Sequence, residues 1–267
     1  TFVHAADFST KALEQAAAAY NKPNGALVAM QQLEQQNNGF VPLMLSRCFQ
    51  YGTVGCPKDL TKARTYESWK NEIQQQLQRL AANNNNAEAY NWLGNLERIK
   101  DTEEGYRQAF NYFEKSAELN NYYGIFVLGT MYQQGQGVPQ NNNNAIELYQ
   151  KSANLGYPLA MFTLGNMYSN GQVVIQDLKK AIEWYQKSAE RGNTDAMLIL
   201  GISYDDGKGV AQSSVKAVEW YKKAAEQGNS DAMLMLGISY DDGNGVAKNS
   251  AKAVEWYKKA AEQTNAN

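Results

Sequence analysis

The chain has 267 residues, of which 43% are hydrophobic and 19% are charged, and its 25 Lys and Arg stand against 27 Asp and Glu. Such a composition is typical of a chain that folds around a core, and the near-neutral charge argues against a nucleic-acid partner, which needs a basic face. One His and two Cys nearly exclude a zinc site, and no apolar run approaches the roughly 18 residues of a membrane-spanning helix.

The first part of the chain predicts helical hairpins. Residues 6–38 predict an N-terminal hairpin with a turn at 21–25, and residues 39–82 predict a second one. Its last helix is expected to run to the end of that range, because residues 69–80 contain neither Gly nor Pro. Residues 83–120 predict a third hairpin, whose opening run of asparagines is interpreted as a connector or a helix start.

From residue 121 onwards the sequence repeats every 36 residues. A Leu-Gly dipeptide recurs at Leu128, Leu164, Leu200 and Leu236, and a tyrosine column consists of Tyr149, Tyr185, Tyr221 and Tyr257. The units are 121–156, 157–192, 193–228 and 229–264, and the last two differ at only seven positions. A fixed period of this length, with two helices per unit, predicts an all-α fold: an α/α superhelical solenoid of helix-turn-helix repeats, continuous with the hairpins before it.

Each unit predicts a first helix, a glycine loop and a second helix. In the unit 193–228 the first helix is expected over 195–206 and ends at Gly207, since glycine adopts the positive φ of a helix C-terminus at little cost. Ser213 or Ser214 is expected to cap the second helix. The buried faces are expected to carry Ala196, Leu200 and Tyr204 on the first helix and Ala217, Trp220, Tyr221, Ala224 and Ala225 on the second.

A glycine recurs in the middle of the first helix, at Gly94 and in all four later units. Glycine inside a helix costs about 1 kcal/mol relative to alanine. Its repetition therefore predicts that the two helices of a unit cross closely. The Tyr and Trp columns are then expected to fill the wider gaps between neighbouring units.

The complete motif is long and specific. It reads Ala-x3-Leu-Gly-x2-Tyr-x2-Gly-x-Gly-Val and then Lys-Ala-x2-Trp-Tyr-x-Lys-Ala-Ala-x2-Gly. This pattern resembles the Sel-1-like repeat, a relative of the tetratricopeptide repeat, over residues 121–264, and it decays upstream. In the unit 157–192, Val173 replaces the second loop glycine. Since proteins of this family act mainly as scaffolds and adaptors, the resemblance implies a non-enzymatic protein that binds a partner protein or peptide on its concave face, without a cofactor.

Two cysteines, Cys48 and Cys56, lie in the divergent unit 39–82. A secreted, cysteine-rich branch of the family carries a disulfide at this spacing, so the resemblance implies a disulfide here; buried thiols are the alternative. Residues 3–5 fit the end of a cleaved signal peptide, although an arbitrary chain start explains them equally well. Together these features favour export to the periplasm or beyond, and secreted bacterial members of the family are linked to host interaction and virulence.

Catalytic motifs are nearly absent from the sequence. The single His4 lies near the N-terminus, away from any nucleophile that it could activate. Ser213 and Lys216 fit the Ser-x-x-Lys pattern of β-lactamases, and some cysteine-rich family members are described as penicillin-binding. However, Asn249 occupies the serine column in the next unit, so we interpret Ser213 as a helix cap. A β-lactamase-like or cell-wall-binding envelope protein is the alternative function.

Paired aspartates end the first helices of the last two units, as in Asp205-Asp206-Gly207. A calcium loop would need further oxygen ligands at fixed spacing, and these are missing. Acidic helix ends are the favoured interpretation. Because aspartate opposes the helix dipole at this position, the pairs are expected to serve a partner.

The resemblance places the first helices on the concave side of the solenoid. Helical geometry then assigns one outward face to partner binding, and its members are Tyr123, Phe126, Phe162, Asp195, Leu198, Ile202, Asp206, Asp231, Leu234, Ile238 and Asp242. This face grades from aromatic to acidic, which predicts a partner segment that is apolar with Lys or Arg at one end. The alternative is that Phe126 and Phe162 belong to the core and the aspartates only solubilise.

The last unit is nearly a copy of the one before it. Solenoids normally need a terminal unit with a polar outer face. The surfaces of Met235, Ile238, Trp256 and Tyr257 that would meet a following unit are therefore expected to be partly open. This predicts weak end-to-end self-association.

Overall fold

The computed structural model describes residues 86–171 and 173–266. It also describes positions 71, 74–75, 77–79 and 81–82, and these scattered positions are helical. The predicted hairpin over 6–38, the candidate signal-peptide remnant and both cysteines lie outside these residues. The described part of the chain contains helices and turns and no strand, which confirms the all-α prediction. Its ten bounded helices are α1 (Ala87–Arg98), α2 (Glu103–Glu118), α3 (Tyr122–Gln134), α4 (Asn142–Asn154), α5 (Pro158–Asn170), α6 (Leu178–Glu190), α7 (Thr194–Asp206), α8 (Ser214–Glu226), α9 (Ser230–Asp242) and α10 (Ser250–Ala266).

The helices pair as the 36-residue period predicts. The chain divides into two compact units, residues 1–119 and 120–267. In the first, α1 packs against α2. In the second, α3 to α10 form four hairpins, and the second helix of each hairpin also packs against the first helix of the next one. This stacking is that of an α/α solenoid.

Polar side chains cap most of these helices, and glycines end α3, α5, α7 and α9. Asn86 and Asn141, from the two asparagine runs, accept hydrogen bonds from backbone N–H groups of the first turn and so cap α1 and α4. Ser213 caps α8 in the same way. The glycines after α3, α5, α7 and α9 all have φ between 67° and 77°, and Asp101, at φ 54°, takes the positive value where the divergent repeat lacks a glycine.

The mid-helix glycines make room for an aromatic ring of the same repeat. A Cβ on Gly129 would lie 2.8 Å from the ring of Tyr149, and one on Gly165 would lie 2.5 Å from Tyr185. The predicted close crossing is therefore confirmed. The tyrosine rings lie between the two helices of one unit, a contact that the expectation of a column between neighbouring units did not include.

The second loop glycine fixes how successive repeats meet. A Cβ on Gly209 would lie 2.6 Å from the carbonyl oxygen of Leu178, at the start of the second helix in the preceding repeat. Gly245 meets Ser214 in the same way. Both glycines also have positive φ. A side chain at either position is therefore disfavoured twice, by the close backbone of the preceding repeat and by the backbone conformation. Val173 stands at this position in one repeat and is half-buried.

Candidate partner-binding surface

The first helices of the last two repeats lie side by side and run in the same direction. At their N-terminal ends the Asn229 amide donates to Asp195 Oδ1 over 3.3 Å. At their C-terminal ends the Asn244 amide donates to Asp205 Oδ1 over 3.4 Å. Contacts at both ends place equivalent residues of α7 and α9 next to each other. We call the outward side of α3, α5, α7 and α9 the first-helix face.

None of the eleven predicted binding residues is buried in the structure. The exposed members are Asp195, Asp206, Asp231, Leu234, Ile238 and Asp242, and the half-buried members are Tyr123, Phe126, Phe162, Leu198 and Ile202. Phe126 lies against the ring of Tyr149, with centroids 5.4 Å apart, and Phe162 lies 5.7 Å from Tyr185. One side of each Phe therefore packs on its own repeat while part of it stays accessible.

Charge is distributed unevenly along the first-helix face. The helices α3 and α5 contain no charged residue, whereas α7 and α9 contain three Asp each and no Lys or Arg. The lysines of these repeats lie mainly on the second helices, where Lys187 and Lys223 lie over the rings of Trp184 and Trp220 at 4.3 and 4.2 Å. The face is thus neutral at one end and acidic at the other.

Four aromatic side chains form a cluster at the neutral end: Tyr122, Tyr123, Phe126 and Tyr157. The rings of Tyr122 and Tyr157 stack with centroids 5.1 Å apart, and Phe126 meets Tyr157 edge-on at 5.2 Å. Tyr122 is 47% exposed. Burial, followed by the neighbouring hydroxyls of Tyr123 and Tyr122, raises the pKa of Tyr157 to about 12.

Sequence reasoning missed two members of this aromatic cluster, Tyr122 and Tyr157. Tyr157 precedes α5 at a position where the next two repeats have Asn193 and Asn229, which cap their helices. That departure from the repeat pattern is the signal that could have identified it. An aromatic residue that replaces a cap gives up a hydrogen bond and gains ring contacts.

The acidic end is ordered by a few polar contacts. Asp206 forms an ion pair with Lys208 over 2.7 Å. Asp205 accepts a weak hydrogen bond from the Tyr221 hydroxyl at 3.5 Å, and burial raises the pKa of Tyr221, with a further contribution from Asp205. In the last repeat Asn244 replaces Lys208, so Asp242 lacks the local cation that neutralises Asp206.

The other sequence motifs have plain structural roles where the structure describes them. The Ser213 hydroxyl accepts a hydrogen bond from the backbone N–H of Lys216 at 3.4 Å, and the ammonium of Lys216 lies 5.4 Å from the centre of the Tyr204 ring. Within residues 86–171 and 173–266, the acidic side chains form no group of three that could hold a metal ion. No described helix is long and apolar enough to cross a membrane.

The last repeat exposes a surface that earlier repeats cover. Val218 on α8 is 3% exposed beneath the following repeat, whereas the equivalent Val254 on α10 is 49% exposed. Tyr221 is fully buried and its equivalent Tyr257 only half-buried. Of the other residues predicted to be open, Ile238 is exposed and Met235 and Trp256 are half-buried. We call this surface the open face.

Comparison with known proteins identifies the type of repeat. The family described as Sel1 repeat matches residues 43–66, 87–121, 123–157, 158–193, 194–229 and 230–265. A Sel1 repeat protein from Oxalobacter formigenes is similar in structure, with a TM-score of 0.65 and 26% identity over 85% of this chain and 85% of that one. No curated protein matches the chain.

A second solved structure is also similar. It is c5321, a protective antigen present in uropathogenic Escherichia coli strains that displays an SLR fold. The TM-score is 0.60 and the identity 30%, over 94% of this chain and 61% of that one. The chain thus spans less than two thirds of this relative's length.

Proposed function

The chain belongs to the Sel1 repeat family, and on this basis we propose that it is a non-enzymatic adaptor that binds a partner protein or peptide along its first-helix face. Sel1 repeat proteins are generally protein–protein interaction scaffolds. A solenoid suits this role because stacked repeats present one extended surface.

The observation that carries the proposal is the composition of the first-helix face. Exposed Leu234 and Ile238 and the aromatic cluster offer apolar contacts, and Asp195, Asp231 and Asp242 lie exposed beside them. Exposed aromatic residues are frequent anchors in interfaces, and acidic groups accelerate the approach of basic partners. The partner segment is therefore apolar, with Lys or Arg at one end.

The test is a kinetic comparison of variants against a captured partner. Asp206→Lys combined with Asp242→Lys should slow association and weaken its salt dependence, because exposed charges act mainly on the association rate. Phe162→Ala should speed dissociation, because it removes an apolar contact. Glu183→Lys with Glu219→Lys, on the second helices, is the matched charge control. If all variants bind the partner with wild-type kinetics, the first-helix face is not the binding surface.

We further propose that the protein is exported and acts between a bacterium and its host. Cys48 and Cys56 have the spacing of the disulfide in the secreted, cysteine-rich branch of the family, and this resemblance supports a disulfide here. The similarity to a protective antigen of uropathogenic strains supports a role outside the cytoplasm. Mass spectrometry after alkylation, with and without reduction, tests the disulfide. Alkylation of both thiols before reduction would remove this support.

The open face supports a second, weaker contact: self-association through the last repeat. The same surface of each preceding repeat in residues 120–267 binds a neighbouring helix, and the exposed Val254 and Ile238 leave it apolar. Such a patch favours association with a like surface.

A further inference from the structure

The distance between neighbouring first helices fixes the distance between equivalent residues along the first-helix face. Side-chain hydrogen bonds join the N-terminal ends and the C-terminal ends of α7 and α9, and helices whose side chains meet in this way lie about 10 Å apart. Equivalent residues such as Asp195 and Asp231 are therefore separated by about 10 Å. An extended chain advances about 3.3 Å per residue, so one repeat corresponds to three residues of an extended partner.

Two amide side chains on the neutral half favour an extended partner over a helical one. The Tyr149 hydroxyl donates to Gln133 Oε1 over 2.7 Å, and the Tyr185 hydroxyl donates to Asn166 Oδ1 over 2.8 Å. Because each hydroxyl donates its hydrogen bond to the amide oxygen, the NH2 group of the same amide is left to donate to a partner. An extended segment presents carbonyl groups to such donors, whereas a helix uses its carbonyls internally.

The aromatic cluster marks where the segment is anchored. Its members come from α3 and from the residue before α5, so its centre lies about one and a half repeats, roughly 15 Å, from Asp195. That distance corresponds to four or five extended residues. The apolar anchor and the acidic positions thus have a defined separation.

Resting on the proposed function, we propose a register for the partner: an extended segment with one aromatic or aliphatic anchor on the aromatic cluster, and with basic residues about five and eight positions from that anchor, opposite Asp195 and Asp231. The charge complementarity of these two aspartates, on helices that carry no basic residue, sets the sign of the partner's charge. The repeat spacing sets the distance between its basic residues.

Synthetic peptides test this register with the full chain. The spaced probe is a fluorescein-labelled peptide in a Gly/Ser background, with one Trp and with Lys five and eight positions later. The clustered probe has the same composition with its two Lys adjacent. A third, Ala-rich helical probe places its Lys seven residues apart, which spans the same distance along a helix. Each is prepared in both chain directions, and affinity is measured by fluorescence anisotropy.

The spaced probe should bind about fivefold more tightly than the clustered probe in one of the two directions, as two exposed ion pairs allow. Asp195→Asn with Asp231→Asn should abolish this difference. Glu183→Gln with Glu219→Gln, which removes two exposed carboxylates at the same sequence spacing on the second helices, should preserve it. Tyr122→Ala should weaken both Gly/Ser probes alike.

The outcomes separate the register from the proposed function. Equal binding of the spaced and clustered probes, or tighter binding of the helical probe, would overturn the register while leaving an apolar and basic partner in place. Binding of none of the probes would overturn both.

Discussion

The ring of Tyr221 occupies the space that a side chain at Gly201 would need, and the same pair recurs as Tyr257 and Gly237. The tyrosine lies on the second helix and the glycine in the middle of the first. The two helices of a repeat therefore lie close together, because the tyrosine ring packs directly on the backbone of the glycine. This contact explains why a helix-weakening residue recurs at a fixed position.

Gly201→Ala should destabilise the protein by up to about 2 kcal/mol, because the overpacking penalty of about 1–3 kcal/mol exceeds the gain in helix propensity of about 1 kcal/mol. Urea unfolding followed by circular dichroism measures this change. Gly201→Ala combined with Tyr221→Leu should recover part of the loss, whereas Glu219→Ala, at an exposed helical position, should be nearly neutral. A stabilising Gly201→Ala would show that the crossing is loose.

Tyr157 should titrate near pH 12, because its pKa is raised to about 12 by burial. The folded state disfavours the ionised phenol, so the contribution of Tyr157 to stability is complete below the ordinary tyrosine pKa of about 10 and is lost as the pH rises from there towards 12. Absorbance at alkaline pH should show one fewer late-titrating tyrosine in Tyr157→Phe. Loss of a tyrosine that titrates near pH 10, with the late phase unchanged, would contradict the burial of this hydroxyl.

Ser213→Ala should lower the free energy of unfolding by about 1 kcal/mol, the usual effect of removing a helix cap. Ser214→Ala is the control, because the neighbouring serine does not cap the helix. Both variants and the wild type should show no turnover of a chromogenic β-lactam. Turnover by the wild type that disappears in Ser213→Ala would instead favour the β-lactamase-like function.

Val254→Glu should reduce self-association if the open face forms the contact. Light scattering over a series of protein concentrations should show an increase in apparent mass for the wild type and a smaller increase for the variant. Val215→Glu, at another exposed valine of the same repeat array, should behave as the wild type. A monomer at every concentration would count against the proposed contact.

The repeat pattern alone predicted most of the fold described here. The periodicity located α7 to within one residue, because Gly207 ends the helix where its left-handed conformation is needed. The contact of the tyrosine column with its own repeat was missed, since a period shows which residues are equivalent but not which helices a ring contacts. The packing of Tyr149 on Gly129 shows this contact.

The candidate surface was predicted less completely than the fold. Helical geometry correctly kept all eleven chosen residues out of the fully buried class. It could not identify Tyr157, because this residue precedes α5 and helical periodicity predicts the orientation of residues inside a helix only. Nor could it show that the hydroxyls of Tyr149 and Tyr185 orient the amides of Gln133 and Asn166, because such contacts join residues 16 and 19 positions apart.

The contact between Gly209 and Leu178 has a consequence for evolution. Gly245 makes the same contact with Ser214 one repeat later. If residues 193–228 were removed, Gly245 would contact Leu178, and the contact between successive repeats would be of the same type as before. Nearly identical neighbouring sequences also favour unequal recombination of the gene at this place. Each such event would change the charge of the first-helix face by three aspartates, so a lineage could adjust the face for a more or less basic partner by the number of copies alone.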